Sequence, residues 1–264
     1  MSHGAPPLRY DVVVPTTGRP SLRALLEGLA GQHGPAPGRV VLADDRVGDG
    51  PAPPAGGIAA HVPQPLLGRT LVVRSFGRGP AAARNAGWHA ATAPWIVFLD
   101  DDVLLPPGWG EALAADLAAV PAGVAGSQGA LRVPLPAGRP PTDWERNVAG
   151  LQDAVWATAD LAYRRAALEA VGGFDERFPR AYREDADLGL RLQDAGLRIV
   201  RGRRETLHPV GDAPWTVSIR KQAGNADDPL MRRLHGRDWR VRAGAPAGRI
   251  GRHAATATAG AAAA

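Results

Sequence analysis

Three consecutive aspartates, Asp100-Asp101-Asp102, follow directly on the unbroken apolar run Trp95-Ile96-Val97-Phe98-Leu99. Carboxylates so close repel one another unless a cation or solvent offsets their charge. Oxygen ligands suit a hard divalent ion, Mg2+ or Mn2+, which keeps several waters and bridges the oxygens of a bound diphosphate. A surface loop or helix cap normally uses a single Asp, so the triplet favours metal binding. A second pair, Asp44-Asp45, ends the run Val40-Val41-Leu42-Ala43; taken alone it also reads as an ordinary turn. A third, Glu184-Asp185, opens a helical stretch in which Asp185, Leu188 and Leu192 share one face. The positive end of a helix dipole favours an ionised carboxylate, the form a proton acceptor needs. That spacing equally fits a plain N-terminal charge pair. The chain has no cysteine, which excludes disulfides, thiolate metal sites and cysteine nucleophiles and leaves carboxylate and imidazole as metal ligands.

The elements that must hold these groups read as an α/β alternation. Val12-Val13-Val14 is a strand stopped at Pro15, and Leu22, Leu25, Leu26 and Leu29 recur at helical spacing. Val40 to Ala43 and Thr70 to Val73 are further strands, with a Gly/Pro-rich loop from Val47 to Pro65 between them. Ala81 to Ala91 is helical by propensity, and Trp95 to Leu99 suits a strand buried on both faces. Alternating strands and helices build a parallel sheet with crossover helices, and open sheets of this kind bind ligands at the carboxyl ends of their strands. The triplet sits at such an end.

Past the triplet the pattern becomes mixed, with a helix near Trp109 to Ala119, a strand near Ala125 to Val133 and a Pro-rich connection from Pro134 to Pro141. Short helices follow from Ala166 to Val171, ended by Gly172-Gly173, and from Glu184 to Ala195, ended by Gly196. The tail from Ala254 to Ala264 holds only Ala, Thr and Gly and is expected to be disordered. At 264 residues one catalytic domain is expected. No stretch approaches the roughly 20 apolar residues of a membrane helix, and no leader pattern opens the chain, which predicts a cytoplasmic protein. The net charge of +5 would suit nucleic acid, anionic lipid or a nucleotide diphosphate, and charge alone does not choose among them.

Taken together the residues resemble a family 2 glycosyltransferase of the GT-A fold. Val12-Val13-Val14-Pro15-Thr16-Thr17 resembles that family's opening strand, Leu42-Ala43-Asp44-Asp45 its second, and Phe98-Leu99-Asp100-Asp101-Asp102 its metal-binding Asp-x-Asp motif. The resemblance runs from about Tyr10 to about Val210. It implies an α/β, Rossmann-like mixed sheet with flanking helices in a single domain, inverting transfer from a nucleotide diphosphate sugar, and a divalent metal ion, Mn2+ or Mg2+. The acceptor would be a hydroxyl on a saccharide, a lipid-linked molecule or a small molecule. The implied organisation is a flexible segment 1–9, a nucleotide-binding half 10–102, an acceptor and catalytic half 103–210, a basic helical extension 211–253 and the disordered tail 254–264.

The same resemblance implies a role for each site residue. Asp102 would ligate the metal, with Asp100 and Asp101 contacting the donor ribose or the metal's water shell and Asp100 also a candidate ligand. Asp45 would bind the nucleobase, with Pro15, Thr16 and Thr17 lining the nucleoside. In Ala83-Arg84-Asn85-Ala86-Gly87, Arg84 would reach a phosphate and Asn85 a ribose or sugar hydroxyl. Asp185 would be the base, Glu184 orienting it or the acceptor, and His208, in Thr206-Leu207-His208-Pro209, would complete the metal or diphosphate site. Trp156, like Trp144, would offer a flat face to a sugar, and Asp160 would bind sugar hydroxyls. The part after Val210 departs from the family's common core: Trp215 to Gly224, with Arg220 and Lys221, resembles a lid over the diphosphate and equally fits a solvated basic surface, and the density of arginine from Arg232 to Arg252 would suit a lipid headgroup or a partner chain.

Three competing readings remain on these residues. A sugar nucleotidyltransferase would show a glycine-rich basic loop after the first strand, and Pro15-Thr16-Thr17-Gly18-Arg19 is a poor version of one. A nucleic-acid-binding protein would explain the arginines, yet they are spread along the chain and no helix-turn-helix, zinc or ribonucleoprotein motif appears; no nucleic-acid partner is expected. A catalytically dead relative would not keep both acidic motifs.

Overall fold

Each apolar run becomes a strand, and the amphipathic segments between them fold back over the sheet. A computed structural model describes residues 8–48, 57–214, 217 and 223–246. Strands β1 (Tyr10–Thr16), β2 (Val40–Asp44), β3 (Thr70–Arg74) and β4 (Trp95–Leu99) come with helices α1 (Ser21–Ala30) and α2 (Pro80–Ala90). The next elements are α3 (Trp109–Ala119), β5 (Val124–Arg132), α4 (Asp143–Ala149), β6 (Asp160–Arg164), α5 (Arg165–Val171), α6 (Glu184–Asp194) and β7 (Arg198–Leu207). Helices α7 (Asp228–His235) and α8 (Trp239–Arg242) follow.

The seven strands form one sheet in the order β3-β2-β1-β4-β6-β5-β7. β1 to β4 are parallel, β6 runs antiparallel to both β4 and β5, and β5 and β7 are parallel. Every strand but β6 therefore ends at one edge of the sheet, and β6 begins there. At that edge β1 and β4 are neighbours while the chain leaves them for opposite halves of the sheet, the position at which open α/β sheets hold ligands.

Side chains alternate across the sheet and split the core into two layers. Val12, Val14, Val97 and Leu99 face Leu22, Leu25, Leu26 and Leu29 of α1 with Trp109, Leu113 and Leu117 of α3. Val13, Ile96 and Phe98 face Trp88 of α2, Leu168 of α5 and Leu188 and Leu192 of α6. Burying one such side chain contributes about 1.5–3 kcal/mol, and burial on both faces explains why β4 is apolar without a break. Gly87 lets α2 close on β1, since a Cβ there would lie 2.3 Å from Val13 Cγ1.

Parts of the architecture differ from the sequence reading. The expected loop between β2 and β3 carries 3-10 turns at Ile58–His61 and Gln64–Arg69. Strand β6 is only five residues long, and in the ten-residue β7 the fully buried positions are Arg204 and Thr206, so neither presents an apolar alternation. The expected tail at 254–264, most of the lid segment with its Arg220 and Lys221, and most of 1–9 lie outside the described residues. No described helix is long and apolar enough to cross a membrane.

Candidate active site

The triplet leaves β4 at the carboxyl edge, and β7 brings His208 to meet it. Leu104 and Leu207 exchange backbone hydrogen bonds of 2.8 and 2.9 Å, tying the turn after the triplet to the residue before His208. Asp100, Asp102 and His208 each present a ligand atom within 4.8 Å of the others. The Oδ1 of Asp102 is buried without a hydrogen-bond partner, 3.6 Å from His208 Nε2. A buried acceptor left unsatisfied calls for an explanation. Two carboxylates, one of them with this free oxygen, and an imidazole fit a hard divalent cation.

Asp101 turns the other way, into the protein. Its side chain is fully buried, and Thr16 donates its hydroxyl to Oδ2 at 2.6 Å. Burial pushes the Asp101 carboxyl above the usual range, against the pull of Thr16 and Arg19. Arg19, absent from the expected site residues, straddles the triplet: Nη2 lies 2.5 Å from Asp101 and Nη1 2.9 Å from Asp102. Pro15 is half-buried and Thr17 exposed beside them. At the neighbouring strand end Asp45 accepts from Ser75 Oγ at 2.7 Å and from the Gly79 N–H at 3.0 Å. Gly79 has φ +95°, and a Cβ there would sit 2.4 Å from the Pro179 carbonyl oxygen, so only glycine fits this turn. Asp44 is buried and bonded to Arg46.

Arg84 is the link between the two acidic clusters. Buried in α2, it donates to Glu184 at 2.8 Å and to Asp100 at 3.1 Å, and lies 3.7 Å from Asp185. Burial opposes its charge, but Asp185, Asp100 and Glu184 outweigh that and hold it protonated. Glu184 is buried at the start of α6 and also accepts from the Tyr182 N–H at 2.7 Å. Burial, then the charge of Asp185, push its carboxyl up to about 7. Asp185 keeps 25% of its side chain exposed and accepts from the Thr158 N–H at 3.0 Å and the Thr158 hydroxyl at 2.9 Å. Burial raises this carboxyl as well, while Arg84 and the Thr158 N–H oppose the rise. An oriented carboxylate that still meets solvent can take a proton from a bound molecule; a buried one paired to arginine is poorly placed to do so.

Besides Asp101, four residues expected at a ligand are engaged within the protein. Arg84 was expected at a phosphate but is buried among carboxylates. Asn85 gives Nδ2 to the Phe174 carbonyl and Glu176 and accepts at Oδ1 from the Phe174 N–H and Trp88, a full set that joins α2 to the turn after α5 and leaves nothing for a sugar. Asp160 has no exposed surface: Arg204, Trp109 and Thr206 take its two oxygens at 2.8, 2.8 and 2.6 Å, so it is a core ion pair. Trp156 is 6% exposed and its indole lies on Gly189 of α6, where a Cβ would approach it to 2.1 Å, so the ring packs the helix and not a sugar. Arg19 and Thr158, conversely, lie in irregular segments with no periodic signal, and only the fold brings them to the acids.

Comparison with known proteins adds the following. A family model described as Glycosyl transferase family 2 matches residues 11–152. Two Mycobacterium tuberculosis proteins, from strains CDC 1551 / Oshkosh and ATCC 25618 / H37Rv, each described as pre-mycofactocin glycosyltransferase, are 31% identical over 209 residues. That stretch is 71% of this chain but 40% of theirs, so the chain spans less than half the length of these curated relatives. Among solved structures, the mannosyltransferase PcManGT of Pyrobaculum calidifontis, in complex with GDP-Man and Mn2+, superposes with a TM-score of 0.60 at 21% identity, covering 86% of this chain and 67% of that one. S. aureus TarS 1-349 in complex with UDP-GlcNAc gives 0.58 at 19% identity, covering 80% and 61%. At these identities the likeness is one of fold.

Proposed function

The chain belongs to glycosyl transferase family 2 and has its GT-A fold, and from that premise we propose that it transfers a sugar, with inversion, from a nucleoside diphosphate sugar to a hydroxyl acceptor. The observation that carries the proposal is Arg84, one buried guanidinium that touches Asp100 on the donor side and Glu184 on the other, with Asp185 beside it. One guanidinium thus joins the two acidic clusters at the carboxyl edge.

In this reading Asp185 receives the acceptor's proton as its oxygen attacks the anomeric carbon, a contribution of about 10²–10⁴-fold. Thr158 fixes the angle of that carboxylate, and Glu184, held by Arg84, fixes the start of the helix that carries it. Asp102, Asp100 and His208 would hold a divalent ion, Mn2+ or Mg2+, whose charge offsets that of the departing diphosphate. Pro15, Thr16 and Thr17 wall the nucleoside, and Asp45, set by Ser75 and Gly79, faces the base. The ligand class assigned is the one with which structures of the same fold were solved, GDP-Man with Mn2+ and UDP-GlcNAc. A cytoplasmic setting belongs to the same proposal, as does an acceptor that is a saccharide, a lipid-linked molecule or a small molecule.

The test needs no knowledge of the acceptor, because water replaces it slowly. Incubation with GDP-, UDP- and dTDP-sugars, each with Mn2+, Mg2+ or chelator, should release nucleoside diphosphate from one nucleotide class and only with metal. Release from none of them, with the protein folded, would overturn the reading.

A further inference from the structure

Arg19 holds the place next to the metal ligands with a charge of the metal's own sign. Its side chain leaves the loop after β1, is 54% exposed, and spans a buried partner and a half-open one: Asp101 is 0% and Asp102 30% exposed. The two halves of this fork are unequal. Asp101 is anchored further by the Thr16 hydroxyl, whereas Asp102 has given Arg19 only Oδ2 and keeps Oδ1 free beside His208. The Asp101 contact is the anchor and the Asp102 contact the one that can be surrendered.

Resting on the metal-site reading above, we propose that Arg19 is an exchangeable counter-cation: it neutralises Asp102 while no donor is bound and passes to the donor's diphosphate when the metal ion arrives. Two positive groups cannot share Asp102 without repelling each other, so Arg19 weakens the binding of a bare divalent ion. A diphosphate reverses that penalty, because a guanidinium matches its paired oxygens. Arg19 is thereby a positioning residue that makes metal and donor bind together and leaves the bare ion loosely held. Arg84 cannot play this part, since it is buried and its two Nη groups are held by Glu184 and Asp100. No proton moves and no bond is made or broken in the exchange.

The full chain is titrated with Mn2+ alone, followed by spin resonance of the free ion, and then with GDP and UDP in saturating Mn2+ by calorimetry. Arg19→Gln, which keeps a polar side chain and loses the charge, should bind Mn2+ alone at least about tenfold more tightly, and the diphosphate at least about tenfold more weakly, than the parent; Arg19→Lys should fall between. Thermal melts give an independent readout: added Mn2+ should raise the midpoint of Arg19→Gln more than that of the parent. Unchanged or weaker Mn2+ binding in Arg19→Gln, while Asp102→Ala abolishes it, overturns the exchange and spares the metal site. Mn2+ binding that survives Asp102→Ala removes the metal site itself, and the exchange with it.

Discussion

Thr158 donates both its backbone N–H and its hydroxyl to the carboxylate of Asp185, at 3.0 and 2.9 Å. The threonine precedes β6 and the aspartate lies in the first turn of α6, so the two come from chain segments 27 residues apart. Hydrogen bonds to a charged group contribute about 1.5–3 kcal/mol, and here they also fix the direction of the lone pairs. Thr158→Val keeps shape and the N–H but removes the hydroxyl. It should lower kcat by roughly tenfold with donor KM nearly unchanged. Steady-state kinetics with saturating donor check this, and a change in KM alone would move Thr158 to the donor side.

Glu184 and Arg84 are a pair that tolerates only joint removal. At pH 8, where Glu184 is ionised, Arg84→Met leaves its carboxylate buried without the guanidinium and should cost about 3–5 kcal/mol in urea unfolding. Arg84→Met combined with Glu184→Met should recover part of that loss, because an apolar pair of similar volume replaces the buried ion pair while Asp100 and Asp185 still lose the guanidinium. A single mutant within about 1 kcal/mol of the parent would contradict the burial described.

The raised carboxyl of Glu184 makes stability depend on pH in a defined direction. Its value moves from 4.5 to about 7 on folding, so between these the folded chain keeps a proton that the unfolded chain has released. The stability this brings is fully present below the lower value and is lost as pH rises through the upper one. The groups facing Glu184 are Arg84, Asp185 and the Tyr182 N–H. Melting temperature should fall from about pH 5 to about pH 8, and Glu184→Gln should flatten that fall. An unaltered profile in the variant would assign the slope to other groups.

The acids were legible in the sequence because they sit at the ends of elements whose pattern is strong. β4 is apolar throughout, so the triplet at its end could be placed at a strand terminus, and the leucines of α6 orient Asp185. What those acids touch was not legible. Arg84 meets Glu184 across 100 residues, Asn85 meets Phe174 across 89 and Asp160 meets Arg204 across 44. A polar residue in a motif reads as a ligand contact until the fold shows that another side chain has already taken it. The flat face of Trp156 is likewise covered, by a glycine in a helix some thirty residues on.

Asp160 separates the two kinds of residue by experiment. As a core ion pair with Arg204 it should cost about 3–5 kcal/mol of stability when changed to Ala. The preference among donor sugars should stay the same. A shift in sugar preference with stability intact would return Asp160 to the cleft.

Asp185→Asn bears on the proposed mechanism with the fewest intervening assumptions. The substitution keeps size and most hydrogen-bonding capacity yet cannot accept the acceptor's proton. Turnover of the preferred donor, measured as nucleoside diphosphate release, should drop by about 10²-fold or more, while calorimetric affinity for nucleoside diphosphate with Mn2+ stays near that of the parent. Near-normal turnover in Asp185→Asn, above all if Glu184→Gln abolishes it, would contradict the assignment of Asp185 as the base.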